Sequence, residues 1–281
     1  RHPRQQFVSG NILDQDAVLD VVQGKDVVYN FAGIADIEEA RQRPLDTANV
    51  NFIGNATLLD VCRQTGIKRY VFASTVYVYS RSGSFYRASK HASELYIEEY
   101  QRQYGLDYTI LRYGTLYGRR ANSRNNIYRC LQQALVHRKI VYRGDGEDIR
   151  EYIHVGDAAQ SSVDILSDEF KNEHVILTGH QPMKVKDMLV MIREVVGADV
   201  EIEYDEPDYE NWHYKVTPYS FTPKIGKKLI RHHYLDLGQG LLDCLEEIHD
   251  REVYSMERTA SDRQLALLPP LPVGGNGKEE I

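Results

Sequence analysis

Short apolar, β-branched runs recur along this chain with longer helix-forming stretches between them, and this alternation narrows the possible folds more than any other feature. "RQQFVSG", "KDVVYNFAG", "KRYVFAST" and "DYTILRYG" read as strands. Between them, residues 16–22, 44–65 and 86–104 read as helices. Strand, helix, strand at this rhythm builds βαβ units, hence a parallel sheet with both faces covered. Right-handed crossovers make it doubly wound. The fold class is therefore α/β.

After Gly118 the rhythm loosens. "NNIYRCLQQALVH" and "KVKDMLVMIREVVG" are amphipathic helices, "KIVYRG", "EHVILTG" and "DVEIEY" are short strands, and "LGQGLLDCLEEIHD" is a late helix. These segments predict a smaller second lobe. From about residue 251 on, "PPLP" and "GGNGKEE" predict a disordered tail. A glycine-rich G-x-G-x-x-G turn between a strand and a helix is not found. The chain opens at Arg1 without a methionine and enters strand-like sequence at once, so the first βα unit of such a sheet is expected to be missing.

Charge and cysteine content bear on partners. The formal net charge of -7 lacks the basic footprint of a nucleic-acid binder. No apolar run reaches the ~20 residues that span a bilayer. Cys62, Cys130 and Cys244 are odd in number and far apart, which suits reduced thiols in a cytoplasmic protein. The ten histidines show no metal-ligand spacing, so no metal is expected.

Ligands of doubly wound sheets bind at the carboxyl ends of the strands. One strand ends in Phe31, Ala32 and Gly33, small enough at its tip for a ligand to approach the backbone. The next ends in Ser74 and Thr75, and the following helix carries Tyr86 and Lys90 four residues apart, on one face. A Tyr/Lys pair alone fits a solvated helix face equally well. Together with Thr75 it suits hydride chemistry on an alcohol. A phenol titrates near 10 and is a poor base at neutrality, so it needs nearby positive charge to lose its proton. Lys90 and an oxidised nicotinamide ring are expected to supply that charge, letting Tyr86 take the hydroxyl proton.

Seven segments in order carry a resemblance: "FVSGNILD", "NFAG", "NVNFIGNATLLD", "FASTVYVY", "YRASK", "LRYGTLYGRR" and "GDGEDIREYIHVGDAA". In these the chain resembles the extended short-chain dehydrogenase/reductase superfamily and, within it, the NAD-dependent nucleotide-sugar epimerase/dehydratase family, from about Phe7 to His249. The resemblance implies a Rossmann-like sheet truncated at its amino end. It assigns residues 1–118 and 150–179 to cofactor binding, and 119–149 and 180–250 to a substrate lobe. Thr75, Tyr86 and Lys90 would be catalytic. Asn11, Ile12, Phe31, Ala32, Gly33, Asn51, Ser74, Tyr86, Lys90 and Tyr113 would line the cofactor, NAD, with NADP left open. Thr75, Thr115 and Arg150 would meet the substrate, a nucleotide-diphosphate sugar, with Arg150 at the diphosphate. A homodimer is implied through the helices near 50–63 and 86–104. Departures are Thr115 in place of the family's asparagine, Gly114 in place of an aromatic, and Val76-Tyr77 in place of the dehydratases' Asp-Glu pair. They favour an epimerase. A reductase, a decarboxylating relative, or a non-catalytic binding protein on the same fold remain alternatives.

Overall fold

In the computed structural model, which describes residues 3–205 and 213–266, the alternating runs fold as read, with three exceptions. The first half comprises α1 (Gln15–Val22), β1 (Val27–Asn30), α2 (Ile37–Gln42), α3 (Pro44–Thr47), α4 (Gly54–Thr65), β2 (Arg69–Thr75), α5 (Ser84–Tyr104) and β3 (Tyr108–Tyr113). There follow β4 (Thr115–Tyr117), α6 (Asn126–His137), β5 (Lys139–Arg143), β6 (Ile149–His154), α7 (Val155–Asp164) and β7 (Glu173–Leu177). The last elements are β8 (Pro182–Lys184), α8 (Val185–Val196), β9 (Glu201–Asp205), β10 (Lys227–Lys228) and α9 (Leu237–Ala266).

The main sheet is parallel throughout, in the order β1-β2-β3-β7-β10. Side chains alternate across it, as a strand's period of two requires. Tyr70, Phe72, Tyr108 and Ile110 face one way and pack with Val18 and Val22 of α1, Leu58, Leu59 and Cys62 of α4, and Ile97 of α5. Val71, Leu111 and Val175 face the other way, onto Ala158 of α7 and Ile165 just beyond it. Burying a side chain the size of Phe72 or Leu111 stabilises by about 1.5–3 kcal/mol each, which pins the register of the central strands. Side-chain caps set the helix starts: Asp14 accepts from the Ala17 N–H (3.1 Å), and Asn125 from the Tyr128 N–H (3.1 Å).

A second core lies between α6, α8 and α9, where Leu131, Leu189, Ile192, Leu241 and Ile248 pack with Ile140 of β5. β5 pairs with β9, and β4, β6 and β8 form a three-stranded sheet.

Three expectations are corrected. The segment "QFV" forms no strand, and Phe7 and Val8 are 75% and 65% exposed. A strand needs a ladder partner, and no strand of the described residues lies beside this one. The helix expected over 44–65 is broken by a wide-turned π segment, Ala48–Ile53, whose extra residue per turn re-aims the side chains it carries. Residues 251–266, expected in the tail, continue α9. No Gly or Pro interrupts 241–268, so nothing stops the helix there. The rest of that expected tail, 267–281, lies outside the described residues.

Candidate active site

The cluster is assembled at the carboxyl end of β2. The strand stops at Thr75, whose hydroxyl accepts the Tyr77 N–H (3.2 Å) and so turns the chain into the short helical turn Val76–Tyr79. The chain then enters α5 at Gly83, whose φ of +99° suits glycine. A Cβ there would meet the Tyr77 ring at 2.8 Å, so glycine is also what lets that ring lie where it does.

Helical geometry then places Tyr86 and Lys90 on one face. The Thr75 hydroxyl lies close enough to the Tyr86 phenol to favour its ionised form. Lys90, 4% exposed, donates to the Ala73 carbonyl (2.7 Å), and its Nζ lies 4.7 Å from the Phe72 ring centroid and 6.0 Å from that of Tyr86. Burial pushes the Tyr86 phenol up to about 12, against the Thr75 hydroxyl. Burial also pulls the Lys90 ammonium down to about 8, while the Glu94 carboxylate opposes it. Burial thus disfavours the charged form of both groups.

This cost predicts a test. Lys90→Met is expected to stabilise the fold at pH 7 by about 1–2 kcal/mol, less than relief of the buried charge alone would give, because the Ala73 carbonyl loses its donor. The sign follows from linkage: between about 8 and 10.5 the folded wild type binds fewer protons than the unfolded chain, so its own stability rises with pH there. The advantage of the variant should be full below pH 8 and gone by 10.5, as read by denaturation at several pH values.

Asn51, on the π segment, is buried beside this pair. Its Oδ1 accepts the Ile34 N–H (2.7 Å), and its Nδ2 donates to the Ile34 carbonyl (3.0 Å) and the Ser89 hydroxyl (3.0 Å). The loop after β1 is thereby tied to α5, and a Cβ on Gly33 would lie 2.9 Å from Asn51 Oδ1 and 3.6 Å from Lys90 Nζ. Asn30 Oδ1 accepts the Ala32 N–H (3.1 Å) and shapes the same loop, and Phe31 stays 58% exposed.

The remaining expected residues lie around this cluster. Ser74 donates to Glu94 (2.5 Å), whose carboxylate is held bidentately by Arg112 (3.0 and 2.6 Å) in a pair sealed from solvent. Ile12 packs against Gly54 at the start of α4, and Asn11 is exposed, its Oδ1 accepting the Leu13 N–H. Tyr113 lies 6.1 Å from Phe31, ring to ring, and shares a 2.6 Å hydrogen bond with Ser162 of α7. Thr115 and Arg150 meet on Tyr214: Thr115 by a 3.2 Å hydrogen bond, Arg150 with its guanidinium 4.5 Å from the ring. Asp148 holds Arg150 at 2.9 Å.

Sequence reasoning missed Glu94, Tyr77, His213 and Tyr214. Glu94 had a signal, one turn after Lys90 in "SKHASE". Tyr77 also had one, because it stands in the strand-end motif. His213 and Tyr214 reach the site from a distant segment with no pattern of their own.

The chain was compared with known proteins. The model of the NAD dependent epimerase/dehydratase family matches residues 1–178. A provisionally named UDP-glucose 4-epimerase of Methanocaldococcus jannaschii is 28% identical over 73% of this chain and 73% of its own length. A dTDP-glucose 4,6-dehydratase of Streptomyces griseus is 26% identical over 73% of this chain and 66% of its own length. Among solved structures, the UDP-glucose 4-epimerase of Thermotoga maritima superposes with a TM-score of 0.77 at 21% identity, covering 89% of this chain and 86% of that one, which shows the Rossmann-like fold.

Proposed function

Because the chain belongs to the NAD-dependent epimerase/dehydratase family, we propose that it is an NAD-dependent epimerase of a nucleotide-diphosphate sugar, acting by transient oxidation of a ring hydroxyl and its restoration from the opposite face. The observation that carries this reading is the Thr75–Tyr86–Lys90 cluster at a strand end. Tyr86 takes the proton of the reacting hydroxyl and later returns it. Thr75 orients the phenol, and Lys90 stabilises its anion across the 6.0 Å that separates Nζ from the ring. NAD, when bound, supplies the two-electron acceptor and a positively charged ring.

The residues fit that cofactor. Only a glycine at 33 leaves the space between Asn51 and Lys90 open, and an ammonium, an amide and a phenol are the donors a ribose calls for. Gly33, Asn51, Tyr86 and Lys90 would hold the nicotinamide ribose, with Phe31, Ala32, Ser74 and Tyr113 around it and Asn11 and Ile12 toward the adenine. Thr115 and Arg150 would meet the nucleotide sugar, with the guanidinium on the diphosphate. In this reading residues 1–118 and 150–179 serve the cofactor, and 119–149 and 180–250 serve the sugar. Val76 is buried and Tyr77 is aromatic where a dehydratase carries two carboxylates, which favours epimerisation over elimination.

The test is product analysis. The purified chain is incubated with NAD and a panel of UDP- and dTDP-sugars, alongside a titration of NADH fluorescence. Interconversion of two sugars differing at one hydroxyl is expected. A 4-keto-6-deoxy product would replace the epimerase reading with a dehydratase one, and no NADH binding together with no turnover would overturn the enzyme reading.

A homodimer through α4 and α5 completes the proposal. Leu95 and Tyr96 are 51% and 46% exposed on α5, and Tyr96 packs edge-on against Phe52 at 4.7 Å, so apolar side chains here are left open to solvent. Paired Leu95→Glu and Tyr96→Glu changes should shift sedimentation from dimer to monomer; a wild type that sediments as a monomer would contradict it.

A further inference from the structure

One titratable pair beside the Thr75–Tyr86–Lys90 cluster has no part in the chemistry above. The Tyr77 hydroxyl and His213 Nδ1 are 2.6 Å apart, across 136 residues of sequence. The Tyr77 ring stands edge-on to Tyr86 at 6.4 Å and lies 4.7 Å from Tyr214. It thus touches the proposed base on one side and the residue shared by Thr115 and Arg150 on the other.

The segment that carries His213 is anchored at its other end. The Ile149 N–H donates to the Lys215 carbonyl (2.7 Å), the Thr217 N–H to the Ile149 carbonyl (3.1 Å), and the Glu151 N–H to the Thr217 hydroxyl (3.0 Å). These bonds fix it to β6, next to Arg150. His213 of this segment meets Tyr77 of the catalytic turn, and Tyr214 shares a hydrogen bond with Thr115 of β4.

We infer that Tyr77 and His213 are positioning residues that clamp the substrate-side segment onto the catalytic turn, so that binding of the nucleotide sugar requires a neutral His213. This rests on the reading that a nucleotide sugar occupies this cleft. The neutral imidazole offers one lone pair, and in the tautomer protonated at Nε2 that lone pair is on Nδ1 and accepts from Tyr77. A protonated ring has two N–H groups and no acceptor, so the donor direction reverses, and a positive charge is placed beside the Arg150 guanidinium, which repels it and loosens the contact. Among the described residues, the groups facing His213 include Tyr77 of the turn, Arg150 and Asp148 of the β6 region, and Asp36 at the cap of α2. Burial and the Arg150 guanidinium hold the imidazole below its ordinary value, against the pull of the two carboxylates. The clamp is therefore made in full at neutral pH and weakened only below about 6.5, the ordinary imidazole value.

The experiment uses the full chain with the nucleotide sugar it turns over best. Tyr77→Phe and His213→Ala are each expected to raise KM about five- to tenfold, the loss of one hydrogen bond, with kcat changed less than twofold. The double variant should be no worse than either single one. His213→Gln, which keeps a neutral polar group, should lack the rise in KM that the wild type shows below pH 6.5. Additive effects, or a rise that persists in His213→Gln, would overturn the clamp. A readout that needs no substrate separates this from the proposed function: the imidazole titration of His213, followed by NMR in labelled protein, should move in Tyr77→Phe. If it moves while no nucleotide sugar turns over, the functional reading fails and the clamp stands. If it does not move, the clamp fails whatever the substrate.

Discussion

Tyr86→Phe is expected to lower kcat by about 10²–10⁴-fold, the usual contribution of a positioned acid–base group, while thermal stability changes little. Phenylalanine keeps the edge-on contact with Tyr77 and removes only the oxygen beside Thr75. The loss should sit in kcat, because a proton transfer made only in the transition state is what disappears. Thr75→Ala should act in the same direction and more weakly. It removes the hydroxyl that pulls against burial, so the phenol should titrate still higher than about 12 and the fraction ionised at neutrality should fall. Thr75→Ser keeps the hydroxyl and should recover most of the rate. The measurement is initial velocity against pH for the three variants. Undiminished turnover by Tyr86→Phe would end the proposed mechanism.

Arg112→Met is expected to give the largest loss of stability, roughly 3–5 kcal/mol, which is the cost of leaving one partner of a sealed ion pair unpaired. Arg112 is among the largest fully buried side chains, and its two nitrogens grip Glu94. Its third nitrogen donates to the Tyr79 hydroxyl and to the Lys224 carbonyl (2.6 Å), and its guanidinium lies 4.6 Å from the Tyr79 ring centroid. Glu94 in turn accepts from Ser74 beside Thr75. One guanidinium thus ties β3, α5, the catalytic turn and the segment before β10 together. In a domain of this size the melting temperature should drop by roughly 6–20 °C. Replacing both partners, Arg112→Met with Glu94→Leu, should recover much of the stability, since an apolar pair needs no counter-charge. It should not recover the rate, because Ser74 loses its acceptor at the strand end that carries Thr75. Urea denaturation with activity on the same samples separates the two effects. A single Arg112→Met variant as stable as the wild type would show the pair to be dispensable.

The parallel sheet was legible because its central strands are buried on both faces and therefore read as continuous apolar runs, "RYVFAST" and "YTILRY" among them. The helix carrying Tyr86 and Lys90 was legible because four-residue spacing is a local property. The break near Ala48 was not, since "TANVNFIGNATLL" carries no proline and its apolar period runs on; the widened turn satisfies contacts of Asn51 with Ile34 and Ser89, both distant in sequence. "QFV" misled for the opposite reason: its residues favour a strand, but a strand also requires a neighbour.

Local composition and spacing determined which elements form, placed Tyr86 and Lys90 one turn apart on one helix, and put Thr75 at the end of the strand just before it, because those relations span only a few residues. Tertiary structure decided what surrounds them. It brought Tyr214 between Thr115 and Arg150, joined Tyr77 to His213 across 136 residues, and buried Lys90 and Tyr86 deeply enough to push both toward their neutral forms. Proton affinity depends on the dielectric and the charges within a few ångströms, and which groups come that close is settled by packing rather than by order along the chain.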